Sequence, residues 1–308
     1  MIKKAIVLFS GGLDSRLTAK LLEKQGFEIH LVFVKLPFGG GCCNDIPCII
    51  NFAQTQGYYL HIIDATKGQK FKEYLELTKN PKYGRGKALN PCKDCKIFIF
   101  KQAKKEAKKL KIEVIATGEV IGQRPMSQMK EILLFDEKKA GLQNKILRPL
   151  SAKLLPETEY EKKGLVNREK LLSLHGRQRI EQIELAKKYK IKYPTPAGGC
   201  LLCEKDYAKK VKCLFDYKNP KYEETLFLKR GRMFKDNGLI FVGRDHKENI
   251  FIEEIAKKIK WNILVDEEIS GPTVVYDQKQ DKKLAKKLMI AYRDKDLENR
   301  EEFEKFKV

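Results

Sequence analysis

The sequence predicts an α/β protein: a parallel sheet covered by helices on both faces, joined to a smaller C-terminal α+β domain. Three observations predict it. Short apolar runs alternate with segments of helical spacing between Ala5 and Ala116, and two of those runs lead directly into glycine turns, Ser10-Gly11-Gly12 and Thr117-Gly118. Strands that alternate with helices pair in parallel and are buried on both sides. After about Lys205 the pattern changes to short alternating runs, which marks the second domain.

Residues 5–9 are apolar throughout, as a strand covered on both faces requires, and Leu17, Leu21 and Leu22 then place an apolar stripe on a helix over residues 15–24. Residues 29–34 read as the second strand, 49–56 as a helix, 58–63 as the third strand, 98–110 as a basic helix and 114–116 as the fourth strand. Residues 151–193 are mostly helical in pattern, with helices expected at 168–175 and 177–190, parted near Gly176. Pro194, Pro196, Gly198 and Gly199 then break the chain. Residues 225–228 and 239–242 are short alternating runs, and a charged helical end starts at Lys282. The expected division is a parallel-sheet domain over 1–150, a helical segment over 151–205 and an α+β domain over 206–308.

A chain of 308 residues with 42% apolar content can build two domains of about 100–200 residues with a substantial core. The first twenty residues carry no signal-peptide pattern, and nowhere do about 18 apolar residues run together. A soluble cytoplasmic protein is expected, with no membrane association. Basic residues exceed acidic ones by 22, of which 17 fall in residues 1–204. A single lysine cluster such as 101–111 can be an ordinary solvated helix face. The whole imbalance favours a nucleic-acid partner, and the C-terminal domain is a second candidate RNA-binding region. Eight cysteines in such a chain argue for catalysis or metal binding rather than disulfides.

Ser10-Gly11-Gly12-Leu13-Asp14-Ser15, set between a strand and a helix, is a phosphate cradle. Its glycines let backbone amides approach an anion, its serine hydroxyls donate, and the helix N-terminus adds a favourable dipole. The Walker lysine pattern is absent, which disfavours simple transfer of the terminal phosphate. This SGGxDS segment resembles the PP-loop ATP pyrophosphatase superfamily, and the resemblance spans about residues 5–205. It implies the adenine nucleotide α-hydrolase-like fold, cleavage of ATP between the α- and β-phosphates, and transfer of AMP to a substrate oxygen. It also implies that Ser10, Gly11, Gly12, Asp14 and Ser15 hold ATP, with Asp14 contacting Mg2+ or pyrophosphate.

Within that superfamily, Asn90-Pro91-Cys92-Lys93-Asp94-Cys95 resembles the Asn-Pro-x-x-x-Cys segment of the tRNA 2-thiouridine synthases, with Cys92 standing where those enzymes carry aspartate. The resulting Cys-x-x-Cys, with Cys200 as a third member, is similar instead to iron–sulfur tRNA thiolases. Both resemblances imply that Cys95 and Cys200 meet in space. In a persulfide route Cys200 carries sulfur to the adenylated base, and Cys95 releases the product through a disulfide. In a cluster route Cys92, Cys95 and Cys200 hold a [4Fe-4S] cluster whose open iron binds sulfide. A structural Zn2+ held by these three and Cys203 is the third possibility.

Thr117-Gly118-Glu119-Val120-Ile121-Gly122-Gln123 resembles a loop of the tRNA 4-thiouridine synthases, which implies that Thr117, Gly118 and Gln123 line the nucleotide site. Arg124, Ser127 and Gln128 follow and are candidates for phosphate or ribose contacts. Cys42, Cys43 and Cys48 are candidates for a sulfur relay or a second metal, or are thiols without catalytic duty. The four histidines occur singly and receive no role. In the C-terminal region Arg230-Gly231-Arg232, Gly243-Arg244 and Gly271-Pro272-Thr273 mark turns with basic neighbours, read either as RNA contacts or as surface turns. The function expected is ATP-dependent sulfur insertion into a tRNA base, with a cysteine desulfurase or a carrier protein as sulfur donor. The alternatives are a PP-loop amide or amine ligase and a non-enzymatic zinc-containing RNA-binding protein.

Overall fold

The computed structural model describes residues 2–39, 46–195, 200–293 and 298–308. Two compact units divide at Leu201/Leu202. The first contains strands β1 (Lys3–Leu8), β2 (Phe27–Lys35), β3 (Tyr59–Asp64) and β4 (Val114–Thr117). Its helices are α1 (Leu13–Glu23), α2 (Ile46–Gln56), α3 (Gly68–Lys79), α4 (Cys92–Leu110), α5 (Lys130–Lys139), the single turn α6 (Glu159–Lys162) and α7 (Ile180–Lys188). The four strands are parallel in the order β3-β2-β1-β4. Strand β1 lies inside the sheet, and Ala5, Ile6 and Val7 are fully buried. That position explains its unbroken apolar run. β3 lies at the sheet edge and leaves Tyr59 and Ile62 exposed.

Because β1 is followed in sequence by its neighbour β2 on one side and pairs with β4 on the other, the connections leave β1 and β4 in opposite directions. The crevice beyond their carboxyl ends is where open sheets of this kind take ligands. Both glycine turns lie there, one after each strand. Helix α1 packs Leu17, Leu21 and Leu22 onto the sheet, in a core shared with Ile29, Leu31, Phe33 and Ala116.

Residues 151–193 also pack into this core, through Ala152, Tyr160, Val166, Leu171, Leu174, Ala186 and Ile191. The helix expected over 168–175 is absent. Only Arg168–Lys170 forms a 3-10 turn, capped by the Asn167 side chain. Beyond it the chain runs extended. Leu172 and Leu174 donate to Pro149 and Leu150, Leu172 accepts from Lys153, and His175 bridges to Ile121. Partners distant in sequence override the local helical spacing, so the segment as a whole is mostly turns.

The second unit holds helices α8 (Lys205–Tyr217), α9 (Tyr222–Phe227), α10 (His246–Ile259) and α11 (Lys282–Ala291) and strands β5 (Arg232–Lys235), β6 (Leu239–Val242), β7 (Asn262–Leu264) and β8 (Val274–Tyr276). Its antiparallel sheet runs β5-β6-β8-β7. Phe234, Ile240, Val242, Val274 and Tyr276 pack with Leu288 of α11 and with Phe303 of a closing 3-10 segment, Glu298–Phe306. The run at residues 225–228 is not a strand. It falls mainly in α9, where Glu224 caps Lys221 and Thr225 bonds back to Tyr222. The described residues contain no helix long and apolar enough to cross a membrane.

Candidate nucleotide site and thiol cluster

The loop between β1 and α1 is built around Gly11, whose φ of 81° suits glycine, and Gly12, which caps the helix. The Ser15 hydroxyl donates to the Gly12 carbonyl at 2.9 Å and lies 3.4 Å from the Ser10 hydroxyl. Arg16 secures the loop from its buried side. Its Nε donates to Gly11 O at 2.8 Å, Nη1 to Lys192 O at 2.8 Å and Nη2 to Cys48 Sγ at 3.2 Å, and the guanidinium rests 4.3 Å from the Phe52 ring centroid. Cys48 is thus a half-buried thiol on α2 beneath the loop, while Cys42 and Cys43 lie outside the described residues.

The loop after β4 presses against the same helix start. A Cβ on Gly118 would stand 2.7 Å from both Asp14 C and Ser15 N, and 2.8 Å from Asp14 O. Gln123 Nε2 donates to Asp14 Oδ2 at 2.9 Å. Asp14 Oδ1 and Gln123 Oε1 are both buried without a hydrogen-bond partner. Burial raises the Asp14 carboxyl above its usual range, against the Gln123 bond and the charges of Arg179 and Arg124. An orphaned carboxylate oxygen beside a phosphate cradle fits a divalent cation, which would satisfy the oxygen and restore the charge. Ser10, Gly11, Gly12, Asp14, Ser15, Thr117, Gly118 and Gln123 therefore line one end of the sheet. Arg179, which the sequence reading passed over inside an expected helix, joins them through its charge.

Cys92 and Cys95 occupy the first turn of α4, which starts directly after Pro91 and not at residue 98 as expected. Their spacing puts both thiols on one face of the helix. Cys95 Sγ lies 3.4 Å from the hydroxyl of the buried Tyr74. Burial pushes the Cys95 thiol up to about 12; the Tyr74 hydrogen bond opposes this, the sulfurs of Cys200 and Cys92 add to it, and Lys96 counters. Tyr74 in turn feels Cys95, Cys200 and Cys92. The three thiols singled out by the sequence are therefore within electrostatic reach of one another, with Cys95 bonded to the phenol. Among the described residues, no three His, Cys, Asp or Glu side chains are placed to share a single metal ion. As a donor set the trio is entirely soft sulfur, which suits an iron–sulfur group, whose several irons each take one thiolate. Cys203 and Cys213 belong to the C-terminal unit.

Behind the thiols runs a buried ionic chain that sequence spacing gave no means of pairing. Lys96 Nζ bonds Glu119 at 2.6 Å, Arg148 Nε bonds Glu119 at 3.2 Å, and Arg148 Nη1 bonds Glu137 at 2.9 Å. Glu119 follows Gly118 and Lys96 follows Cys95, so this chain ties the nucleotide loop to the thiol helix. Asp136, 2% exposed and with Oδ1 unpartnered, lies beside it. Burial pushes its carboxyl up to about 7, with Lys96 pulling down and Glu119 pushing up. The folded state therefore binds a proton that the unfolded state has released between about pH 4 and 7, and stability falls as pH rises through that window. Asp136→Asn is expected to remove this loss. Its melting temperature should exceed that of the wild type at pH 8, by an amount on the order of 2 kcal/mol in stability, and match it near pH 4. Parallel melting curves at both pH values would show the carboxyl to be ionised throughout.

Residues 3–167 match the family described as tRNA methyl transferase HUP domain. The chain belongs to that family. The matched residues of the HUP domain include the Ser10–Ser15 loop, Cys92, Cys95 and the loop after β4, but not Cys200. Among curated relatives, the tRNA-specific 2-thiouridylase MnmA of a Nitratiruptor species is 33% identical over 120 residues, 38% of this chain and 35% of its own. The enzyme of the same name from Clostridioides difficile is 25% identical over 264 residues, 78% of this chain and 66% of its own. This chain thus spans about one third to two thirds of the length of these relatives. Among solved structures, it is similar to the U34-tRNA thiolase NcsA from Methanococcus maripaludis with its [4Fe-4S] cluster, at TM-score 0.37 and 22% identity, over 70% of this chain and 65% of that one. A 4-thiouridine synthetase–RNA complex with bound ATP gives a TM-score of 0.39 and 21% identity, over 74% and 52% of the two chains.

Proposed function

We propose that this protein uses ATP to activate a carbonyl oxygen of a tRNA base and then places sulfur on the activated carbon, releasing AMP. The observation that carries the reading is the pairing of two centres in one unit: a glycine cradle with an orphaned aspartate oxygen, and the Cys95 thiol on Tyr74 with Cys92 and Cys200 in electrostatic reach. The cradle without a Walker lysine suits attack at the α-phosphate. The backbone amides of residues 10–15 would hold the pyrophosphate portion, and Asp14 would hold Mg2+, which neutralises the developing charge. Arg124 and Arg179 stand near the same carboxylate and would steady the phosphates.

Sulfur delivery falls to Cys92, Cys95 and Cys200. These three would hold a [4Fe-4S] cluster, which when bound would supply an iron able to take sulfide. The chain's own contribution is a fixed hydrogen-bond partner: Tyr74, buried against Phe38 and Phe98, holds its hydroxyl 3.4 Å from the half-buried Cys95 sulfur. A sulfur donor protein and cytoplasmic residence complete the reading.

The test is incubation of anaerobically purified protein with ATP, Mg2+, sulfide and unmodified tRNA. The expected products are AMP, pyrophosphate and a tRNA retarded on a mercury gel. ADP in place of AMP, or AMP formed only with an amine acceptor, would overturn the proposal. Iron and acid-labile sulfide are expected in the wild type and lost in Cys92→Ala. A metal-free wild type that thiolates tRNA only when a sulfane-sulfur (persulfide) donor replaces sulfide would move the sulfur onto a cysteine persulfide, and stoichiometric zinc alone would make the thiols a scaffold.

A further inference from the structure

We propose that the C-terminal unit carries a phosphate grip for an RNA backbone, formed by Lys210, Arg232, Arg244 and Arg300 around the Gly231 and Gly243 turns. The choice of RNA rests on the tRNA reading above, whereas the grip for a phosphodiester does not.

Residue choice is the first support. The chain has 51 lysines and 12 arginines, and three of the five arginines in residues 202–308 meet at this place. Arginine is the side chain whose planar fork matches a phosphate. Geometry is the second support. The register that pairs Arg232 with Val242 brings the two turns side by side. Lys210 Nζ donates to Gly231 O at 3.1 Å, and Arg232 Nη1 to Gly243 O at 3.4 Å. Neither turn has room for a larger residue. A Cβ on Gly231, where φ is +77°, would lie 2.9 Å from Val242 O, and one on Gly243 would lie 2.0 Å from Asn249 Oδ1. The guanidiniums of Arg232 and Arg300 lie 4.8 and 4.7 Å from the ring centroid of Tyr292, which holds the two arginines against one aromatic side chain.

The third support is crowding of like charge. Burial and then Arg244 hold the Lys210 ammonium below its usual range, and burial, Arg300 and Arg244 do the same to Arg232. The carboxylate at the centre, Glu248, is largely committed: it accepts from the amides of Gly231 and Arg244 and from the Arg244 guanidinium. Asp206 and Asp245 bear on Lys210 and Arg244 as well. The four cations stand against Glu248, Asp206 and Asp245, a local surplus of one positive charge, and that surplus is relieved when an anion settles among them. The exposed lysines of α11, Lys282, Lys283, Lys286 and Lys287, carry comparable charge but stand in solvent and show no such convergence.

The measurement is anisotropy of a labelled tRNA transcript with the full chain, from about 50 to 200 mM salt. The double variant Lys210→Gln/Arg232→Gln is expected to bind about tenfold or more weakly, and its slope of log affinity against log salt should flatten by about 1 to 2. Lys282→Gln/Lys283→Gln loses the same charge and should weaken binding less than about twofold. Equal weakening by both pairs would reduce the grip to a diffuse field and overturn the proposal, as would unchanged binding by the first pair. A readout on the wild type guards against a misfolded variant: tRNA should slow amide exchange around Gly231 and Gly243, and no slowing overturns the proposal. Thio-tRNA is assayed separately on the same wild type. Binding through these residues without thiolation keeps the grip and loses the proposed function; thiolation with the first pair binding normally does the reverse.

Discussion

Cys95→Ser is expected to abolish tRNA thiolation, by about a thousandfold or more, while leaving pyrophosphate release in the first turnover within about threefold of the wild type. The asymmetry follows from where the residue sits. Cys95 lies among Cys92, Cys200 and the Tyr74 hydroxyl, while the contacts that shape the cradle come from Arg16, Gly118 and Gln123. Serine keeps the size and a hydrogen bond to Tyr74 but cannot carry sulfur or bind iron as a soft ligand. Adenylation should therefore proceed once and stall with an activated base that has no sulfur to meet it. Loss of pyrophosphate release along with thiolation would show that the thiol helix supports the cradle. Full retention of both would remove Cys95 from the chemistry and favour a nitrogen nucleophile.

The cradle was legible because its chemistry is local: Ser10 to Ser15 are contiguous, and a strand, two glycines and a helix start can be read in order. That Cys95 and Cys200 belong to one site is an expectation carried by resemblance alone, since about a hundred positions separate them and no spacing rule links them. What escaped was non-local in both senses. Residues 168–175 have helical spacing, yet their backbone groups find partners at residues 149–153 and 121, and that pairing decides their conformation. Lys96, Glu119, Arg148 and Glu137 look like ordinary members of a chain rich in charge. Only the fold turns them into a buried ionic chain, because burial makes each one require a partner. Helix α4 was expected six residues too late because Cys92 to Lys96 lack an apolar stripe. Pro91 sets its start instead, and that start is what brings two thiols onto one face.

Gly118→Ala should be the most damaging single-methyl change in the nucleotide site. The added carbon would press on a single peptide group, at 2.7 Å from Asp14 C and Ser15 N and 2.8 Å from Asp14 O, and backbone cannot swing aside as the end of a side chain can. Either the loop after β4 retreats or the first turn of α1 shifts. A retreat pulls Gln123 from Asp14 and Glu119 from Lys96; a shift disturbs the Ser15 bond to Gly12 O. Both routes misplace groups that the proposed reaction needs to hold ATP in line for attack, and a misplacement of about 1 Å costs on the order of a hundredfold in rate. Pyrophosphate release should fall by about that factor, with a loss of stability of about 1–3 kcal/mol from the overpacked contact. Gly12→Ala provides the contrast, because its added carbon would meet only the Ser10 hydroxyl oxygen at 3.6 Å, an ordinary contact. If close packing of the two loops sets the geometry of the site, the first variant loses stability along with turnover, whereas the second keeps its stability and loses turnover only through the approach of phosphate to the cradle backbone. Equal losses of stability would instead assign the effect to glycine flexibility in the cradle, and equal retention of turnover would mean that the loop after β4 takes no part in holding the nucleotide.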